Sequence, residues 1–216
     1  MKERAMTARE IQALLFTRYP RLDSCKEDVL AAYQALRRCY LRGGKLLVCG
    51  NGGSAADAEH IVGELMKSFL FPSRVETAFQ ESLTQLYGNE GKRLSEKLEG
   101  ALPAIPLTSM PALNSAFAND VDSEAAFSQM VYGYGAPGDV LLGISTSGNS
   151  KNILYAMMVG KAKGLKTIAL TGGTGGRCRE LADIIICVPE NETFRIQELH
   201  LPVYHTLCAM LEAELF

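Results

Sequence analysis

No apolar run in the 216-residue chain approaches the roughly 18–20 residues that a membrane-spanning helix requires. An excess of charge of either sign is also missing. Lys and Arg total 22 against 24 Asp and Glu, a net charge of −2, which advertises neither a nucleic acid nor another polyanion as partner. The opening stretch MKERAMTAREIQALLF carries charges at both ends and has no hydrophobic h-region. It therefore reads as an amphipathic helix rather than a signal peptide. Cysteine pairing motifs are absent. Cys25, Cys39, Cys49, Cys178, Cys187 and Cys208 are scattered, with no C-x-x-C pair, a pattern that predicts reduced, mostly buried thiols in a cytoplasmic protein. No G-x-x-x-x-G-K-[ST] loop is present, which excludes a Walker-type ATPase. The glycine-rich loop after the first predicted strand is not G-x-G-x-x-G, so a dinucleotide site is not expected. Internal repeats and low-complexity segments are lacking as well.

What remains is a chain with 47% apolar and 21% charged residues, enough for one large buried core. Residues 1–43 read as a helical region. Ile11, Leu14, Leu15 and Tyr19 form one apolar stripe, and Val29, Ala32, Tyr33, Leu36 and Tyr40 form another. Pro20 and Asp23–Ser24 separate them, with Ser24 as N-cap and Glu27 at N3 of the second helix, which Gly43–Gly44 ends. This pair needs a covering surface, and a subunit interface is the expectation. Short apolar runs at Lys45–Cys49, Ala104–Leu107, Asp139–Ile144, Lys166–Leu170 and Ile184–Val188 alternate with helical patterns. That alternation predicts an α/β fold, a parallel sheet covered on both faces, with ligands at the carboxyl ends of its strands. A helical insertion is expected at about 71–100, broken at Gly88–Asn89, with Leu83, Leu86, Leu94 and Leu98 as its apolar positions.

Two loops have the chemistry of anion sites. Gly50, Asn51, Gly52, Gly53 and Ser54 lie between a strand and a helix start. Glycines let backbone N–H groups approach an anion, and the helix N-terminus adds positive partial charge. The bland reading is an ordinary strand-to-helix turn. Ser145, Thr146, Ser147, Gly148, Asn149 and Ser150 form the second loop. Capping a helix needs one hydroxyl; four around one turn favour a bound phosphate.

His60 and Glu64 are four apart on a predicted helix and share its face. Gln197 and His205 are eight apart on the C-terminal helix, about 80° apart around its axis. The four offer N, O, O and N donors, a set suited to a divalent metal such as zinc. Any one such pair, taken alone, is more often a plain surface or core pair.

The segments GNGGSAADAEHIVGEL (50–65), AND (118–120), PGDVLLGISTSGNSKNIL (137–154) and RIQELH…H (195–205) resemble the SIS (sugar isomerase) family, within it the phosphoheptose isomerase branch. The resemblance covers nearly the whole chain. It implies a single SIS domain over 1–216, a three-layer sandwich with a five-stranded parallel sheet flanked by helices. It also implies a homotetramer with active sites at subunit interfaces. The implied reaction is aldose–ketose isomerisation of a sugar phosphate, sedoheptulose 7-phosphate to D-glycero-D-manno-heptose 7-phosphate, through an enediol. By the same resemblance Ser54, Ser145, Thr146, Ser147 and Ser150 would hold the phosphate. Asn51 and Asp120 would contact the sugar, and Gly52, Gly53, Asn119 and Gln197 complete the expected substrate-binding set. His60, Glu64, Gln197 and His205 would hold zinc, with Glu64 and His205 doubling as the catalytic base and its acid/base partner. No nucleic-acid or membrane partner is implied. The alternative is a non-catalytic tetramer resembling the DnaA-initiator-associating proteins. Those lack the catalytic Glu and C-terminal His, whereas this chain has Glu64 and His205.

Several positions depart from the branch pattern. Phe194 stands where Asp is common. Ser68 stands where Arg is common, with Lys67 beside it as a substitute. Pro202 falls inside the last helical stretch and is expected to kink it. Arg195 reads equally as a substrate contact or a salt bridge, and His200 as second shell or core.

Overall fold

The computed structural model describes residues 6–216; residues 1–5 of the expected N-terminal helical region lie outside it. Five strands, β1 (Leu46–Gly50), β2 (Ala104–Pro106), β3 (Val140–Ile144), β4 (Lys166–Gly172) and β5 (Ile184–Val188), form one sheet. Its order is β2-β1-β3-β4-β5, parallel throughout. Successive side chains point to opposite faces. Leu46, Val48, Val140, Leu142, Ile144, Ile168 and Leu170 therefore enter one core, while Leu47, Cys49, Leu141 and Ala169 enter the other. Both faces being buried explains why these strands read as unbroken apolar runs.

The first face is covered by α1 (Ala8–Arg18), α2 (Lys26–Leu41), α3 (Gly53–Leu65) and α9 (Thr193–Leu215). The second is covered by α6 (Ala126–Tyr134), α7 (Lys151–Ala162) and α8 (Cys178–Leu181). The helical pattern at 76–100 becomes α4 (Thr77–Ser95), and α5 (Pro111–Phe117) follows β2. Gly88 breaks α4 with φ of 60° and ψ of −135°, a conformation that a side chain disfavours.

Within the chain the N-terminal pair packs on α9, where Ile11 and Leu15 join the core and Leu14 stays exposed. One local expectation is corrected. Ser24 does not cap α2. Pro20–Cys25 forms a 3₁₀ turn, Cys25 takes the N-cap position and no side chain bonds there; Pro at the first position preorganises that turn. A capping box does occur one helix earlier, where Thr7 accepts from the Glu10 N–H and Glu10 accepts from Thr7. Pro202 lies inside α9.

The insertion is anchored at its root and bare along its length. Buried Glu212 accepts from the N–H groups of Phe69, Leu70 and Phe71 at 2.6, 2.8 and 3.2 Å. Of its expected apolar positions, Leu86, Leu94 and Leu98 are exposed, as are Phe79 and Tyr87. No described helix is long and apolar enough to cross a membrane. All six cysteines are free thiols, five of them buried.

Candidate functional site

The sheet order places a topological switch point between β1 and β3, whose outgoing chains lead to opposite faces. In open parallel sheets this crevice is where ligands bind. Both candidate loops open there. Asn51 and Gly52 join β1 to α3, whose first residue is Gly53, and residues 145–150 join β3 to α7. The amides of Asn51 and Asn152 pair reciprocally, each nitrogen 2.9 Å from the other's oxygen, and so tie the loops together. Each amide retains one donor and one acceptor site.

In the second loop Ser145 and Ser150 share a hydroxyl hydrogen bond of 3.0 Å. Ser147 Oγ accepts from the Asn149 N–H at 3.2 Å. Gly148 turns the loop at φ of 65°, and a Cβ there would lie 2.0 Å from the Gly175 carbonyl oxygen. The loop is thus pressed against the glycine-rich turn after β4, and only glycine fits. Ser54 and Ser145 are buried, Thr146 and Ser150 half-buried, and Gly52, Gly53 and Ser147 exposed.

Further along the seam between α3 and α9, His60, Glu64 and His205 bring one ligand atom each within 4.8 Å of one another. His60 Nε2 lies 3.0 Å from Glu64 Oε1 and 3.3 Å from His205 Nε2. Ligand atoms on a tetrahedral ion with bonds of about 2.0–2.1 Å stand roughly 3.3 Å apart. This nitrogen–oxygen–nitrogen set therefore has the chemistry and the spacing of a metal-holding group. Gln197 reaches the other end of the seam. Its amide lies against Gly53, where a Cβ would come within 2.4 Å of Nε2, seven residues before His60 on α3.

The surroundings tune these groups. Burial pushes the Glu64 carboxyl up, but the hydrogen bond and charge of Lys67, with His60 adding, outweigh it and hold the group below its usual value. Lys67 Nζ binds Glu64 Oε2 at 3.0 Å. Burial, together with the His60 charge, pulls the His205 imidazole down despite Glu64, which favours its neutral form. Two further side chains carried no sequence signal as site residues. The Tyr204 phenol donates to Asp57 Oδ1 at 3.1 Å and lies 3.1 Å from His60 Nδ1. Burial, then the neighbouring Asp57, drives the phenol well above its ordinary pKa. Burial also raises Asp57, partly offset by Tyr204 and His60.

The remaining expectations separate. Asn119 and Asp120 are exposed on a π-helical turn and bond to each other at 2.8 Å. Arg195 pairs with Glu192 at 2.9 Å, the salt-bridge reading. His200 is fully buried core, with neither ring nitrogen hydrogen-bonded.

Comparison with known proteins agrees with this architecture. The family described as SIS domain matches residues 94–172. A phosphoheptose isomerase of Roseiflexus sp. (strain RS-1) is 34% identical over 207 residues, spanning 96% of this chain and 92% of that protein. One from Crocosphaera subtropica is 41% identical over 179 residues, 83% of this chain and 78% of its own. The structure of a phosphoheptose isomerase from Neisseria gonorrhoeae superposes with a TM-score of 0.70 at 30% identity, over 95% of this chain and 91% of that one.

Proposed function

The chain belongs to the phosphoheptose isomerases of the SIS-domain family and is an aldose–ketose sugar-phosphate isomerase; on that premise we propose how its residues act, and on what. The substrate is sedoheptulose 7-phosphate, converted to D-glycero-D-manno-heptose 7-phosphate. Its phosphate is held by Ser54, Ser145, Thr146, Ser147 and Ser150, with the N–H groups of Gly52 and Gly53 at the start of α3. Asn51, Asn119, Asp120 and Gln197 contact the sugar. The first loop and the His60–Glu64–His205 group stand at successive points of the α3–α9 seam, with the second loop tied to the first through Asn51 and Asn152, an order that suits the phosphate and the carbonyl of an extended sugar phosphate.

Glu64 removes the proton from the carbon beside the carbonyl and returns it to the neighbouring carbon. His205, neutral at rest, moves the oxygen protons as the enediol forms and collapses. His60, Glu64 and His205 would hold a bound zinc, and Gln197, whose amide lies against Gly53, would have to swing towards them to serve as the fourth donor. A bound zinc supplies Lewis acidity to the carbonyl and its neighbouring hydroxyl. The enzyme works in the cytoplasm as a homotetramer, one SIS unit per chain elaborated by the 71–100 insertion. The uncovered Phe79, Leu86, Tyr87 and Leu94 of α4 and Val121 beyond α5 are consistent with burial between subunits. The non-catalytic alternative is not favoured, because the base and the imidazole that it lacks stand together here.

The observation that carries this reading is the convergence of His60, Glu64 and His205 within 4.8 Å. A panel of C5–C7 ketose phosphates, followed for solvent deuterium uptake at C2, tests it. Uptake and aldose formation are expected with the heptulose phosphate. Uptake confined to a shorter ketose overturns the substrate, and none with any member overturns the proton-transfer assignment.

A further inference from the structure

Tyr204 is 1% exposed and its ring meets those of His60 and His205 edge-on, at centroid separations of 5.6 and 5.0 Å. Its phenol has one hydrogen and two neighbours that could take it, Asp57 Oδ1 and His60 Nδ1, each at 3.1 Å. The carboxylate is the stronger claimant, since hydrogen bonds to an ionised acceptor are roughly twice as strong as neutral ones. Its need is also greater. Asp57 Oδ2 is buried with no partner, so among the described residues the phenol is the only donor to this carboxylate. With the hydrogen given to Asp57, the phenol offers His60 only a lone pair. Nδ1 must then carry a hydrogen of its own.

The consequence appears on the other side of the ring. In the neutral ring Nε2 then presents a lone pair towards Glu64 Oε1 at 3.0 Å and His205 Nε2 at 3.3 Å, while Glu64 Oε2 is already engaged by Lys67. A cation at this point, a metal ion or a proton, satisfies both Nε2 and the carboxylate oxygen. We propose that Tyr204, held by Asp57, is a positioning residue that fixes His60 with its hydrogen on Nδ1 and its free lone pair on Nε2, ready to bind the metal. The proposal rests on the reading of His60 as a metal ligand. It adds two residues to that reading, one from each helix of the seam. Outer partners of this kind orient a ligating imidazole and raise its basicity.

The chain has three histidines, so the ring nitrogens of the full-length protein can be assigned by ¹⁵N–¹H correlation spectroscopy. In metal-free parent protein His60 is expected to show a hydrogen-bearing Nδ1. Tyr204→Phe keeps the ring and removes the acceptor; His60 should move to the Nε2–H form, and zinc affinity, measured by competition with a chromophoric chelator, should fall about 10–100-fold. Asp57→Ala keeps the phenol but frees its hydrogen for Nδ1, and should give the same reversal. The proposal is overturned if the parent carries a bare Nδ1, or if both variants retain the parent's tautomer and zinc affinity. A parent that binds no zinc while its tautomer reverses in both variants sinks the metal assignment and leaves the relay standing.

Discussion

Glu64 and Lys67 are joined at 3.0 Å through the carboxylate oxygen that does not face His60. Lys67, just beyond the end of α3, thus gives the proposed base a cation on one oxygen and leaves the other for the reaction. The pairing keeps Glu64 ionised at neutral pH, as a base must be, but lowers its proton affinity. Its catalytic power must therefore come from placement as much as from basicity.

Glu64→Gln follows from this. The amide oxygen still accepts from Lys67, so the fold and the Lys67 contact should persist. Proton removal should not, and kcat should fall about 10²–10⁴-fold, the range for loss of a positioned acid or base. Thermal unfolding and initial rates on sedoheptulose 7-phosphate check the two halves. Parent-like turnover by a folded variant would remove Glu64 from its role.

Much of this architecture was legible in the sequence, and the boundary of legibility has a physical cause. KLLVC, DVLLGI, KTIAL and IIICV were readable as strands because they are buried on both faces and flanked by turn residues. The two loops were readable because glycines and hydroxyls at a strand-to-helix junction have few other uses. His60 and Glu64 were readable as one helical face. Tyr204 and Asp57 were not, since a tyrosine and an aspartate on separate helices acquire meaning only when α3 and α9 pack together. The apolar face of α4 was legible only as periodicity, which reports that a face wants cover, not which surface supplies it. Ser24 failed as a cap because Pro20 imposes its own turn ahead of α2.

Gly53 offers a test that separates function from stability. A Cβ at this position meets only the end of the Gln197 side chain, at 2.4 Å from Nε2 and 3.0 Å from Cδ, and a flexible side chain can swing aside. Alanine in a helix is favoured over glycine by roughly 0.5–1 kcal/mol. Gly53→Ala should therefore leave unfolding unchanged or slightly raised, while displacing Gln197 and narrowing the approach to the phosphate. About a tenfold rise in KM is the expected outcome in steady-state kinetics. An unchanged KM would mean that neither Gln197 nor the start of α3 touches substrate.

His200 governs a different property. It is fully buried, with both ring nitrogens unpartnered; the Thr171 main chain approaches the ring without completing a hydrogen bond. Burial pulls its pKa from 6.5 down to about 4, the Thr171 main chain opposing. The unfolded chain therefore binds a proton that the folded chain refuses between those values, and stability falls as pH drops through 6.5 towards 4. The loss is on the order of 3 kcal/mol if the full difference is realised. His200→Leu removes the proton site and two orphaned polar atoms at similar volume. Its urea midpoint should exceed the parent's, by a margin that widens as pH falls from neutral to about 4. Equal acid sensitivity in the two proteins would show that the ring finds a partner in solution and that acid unfolding begins elsewhere.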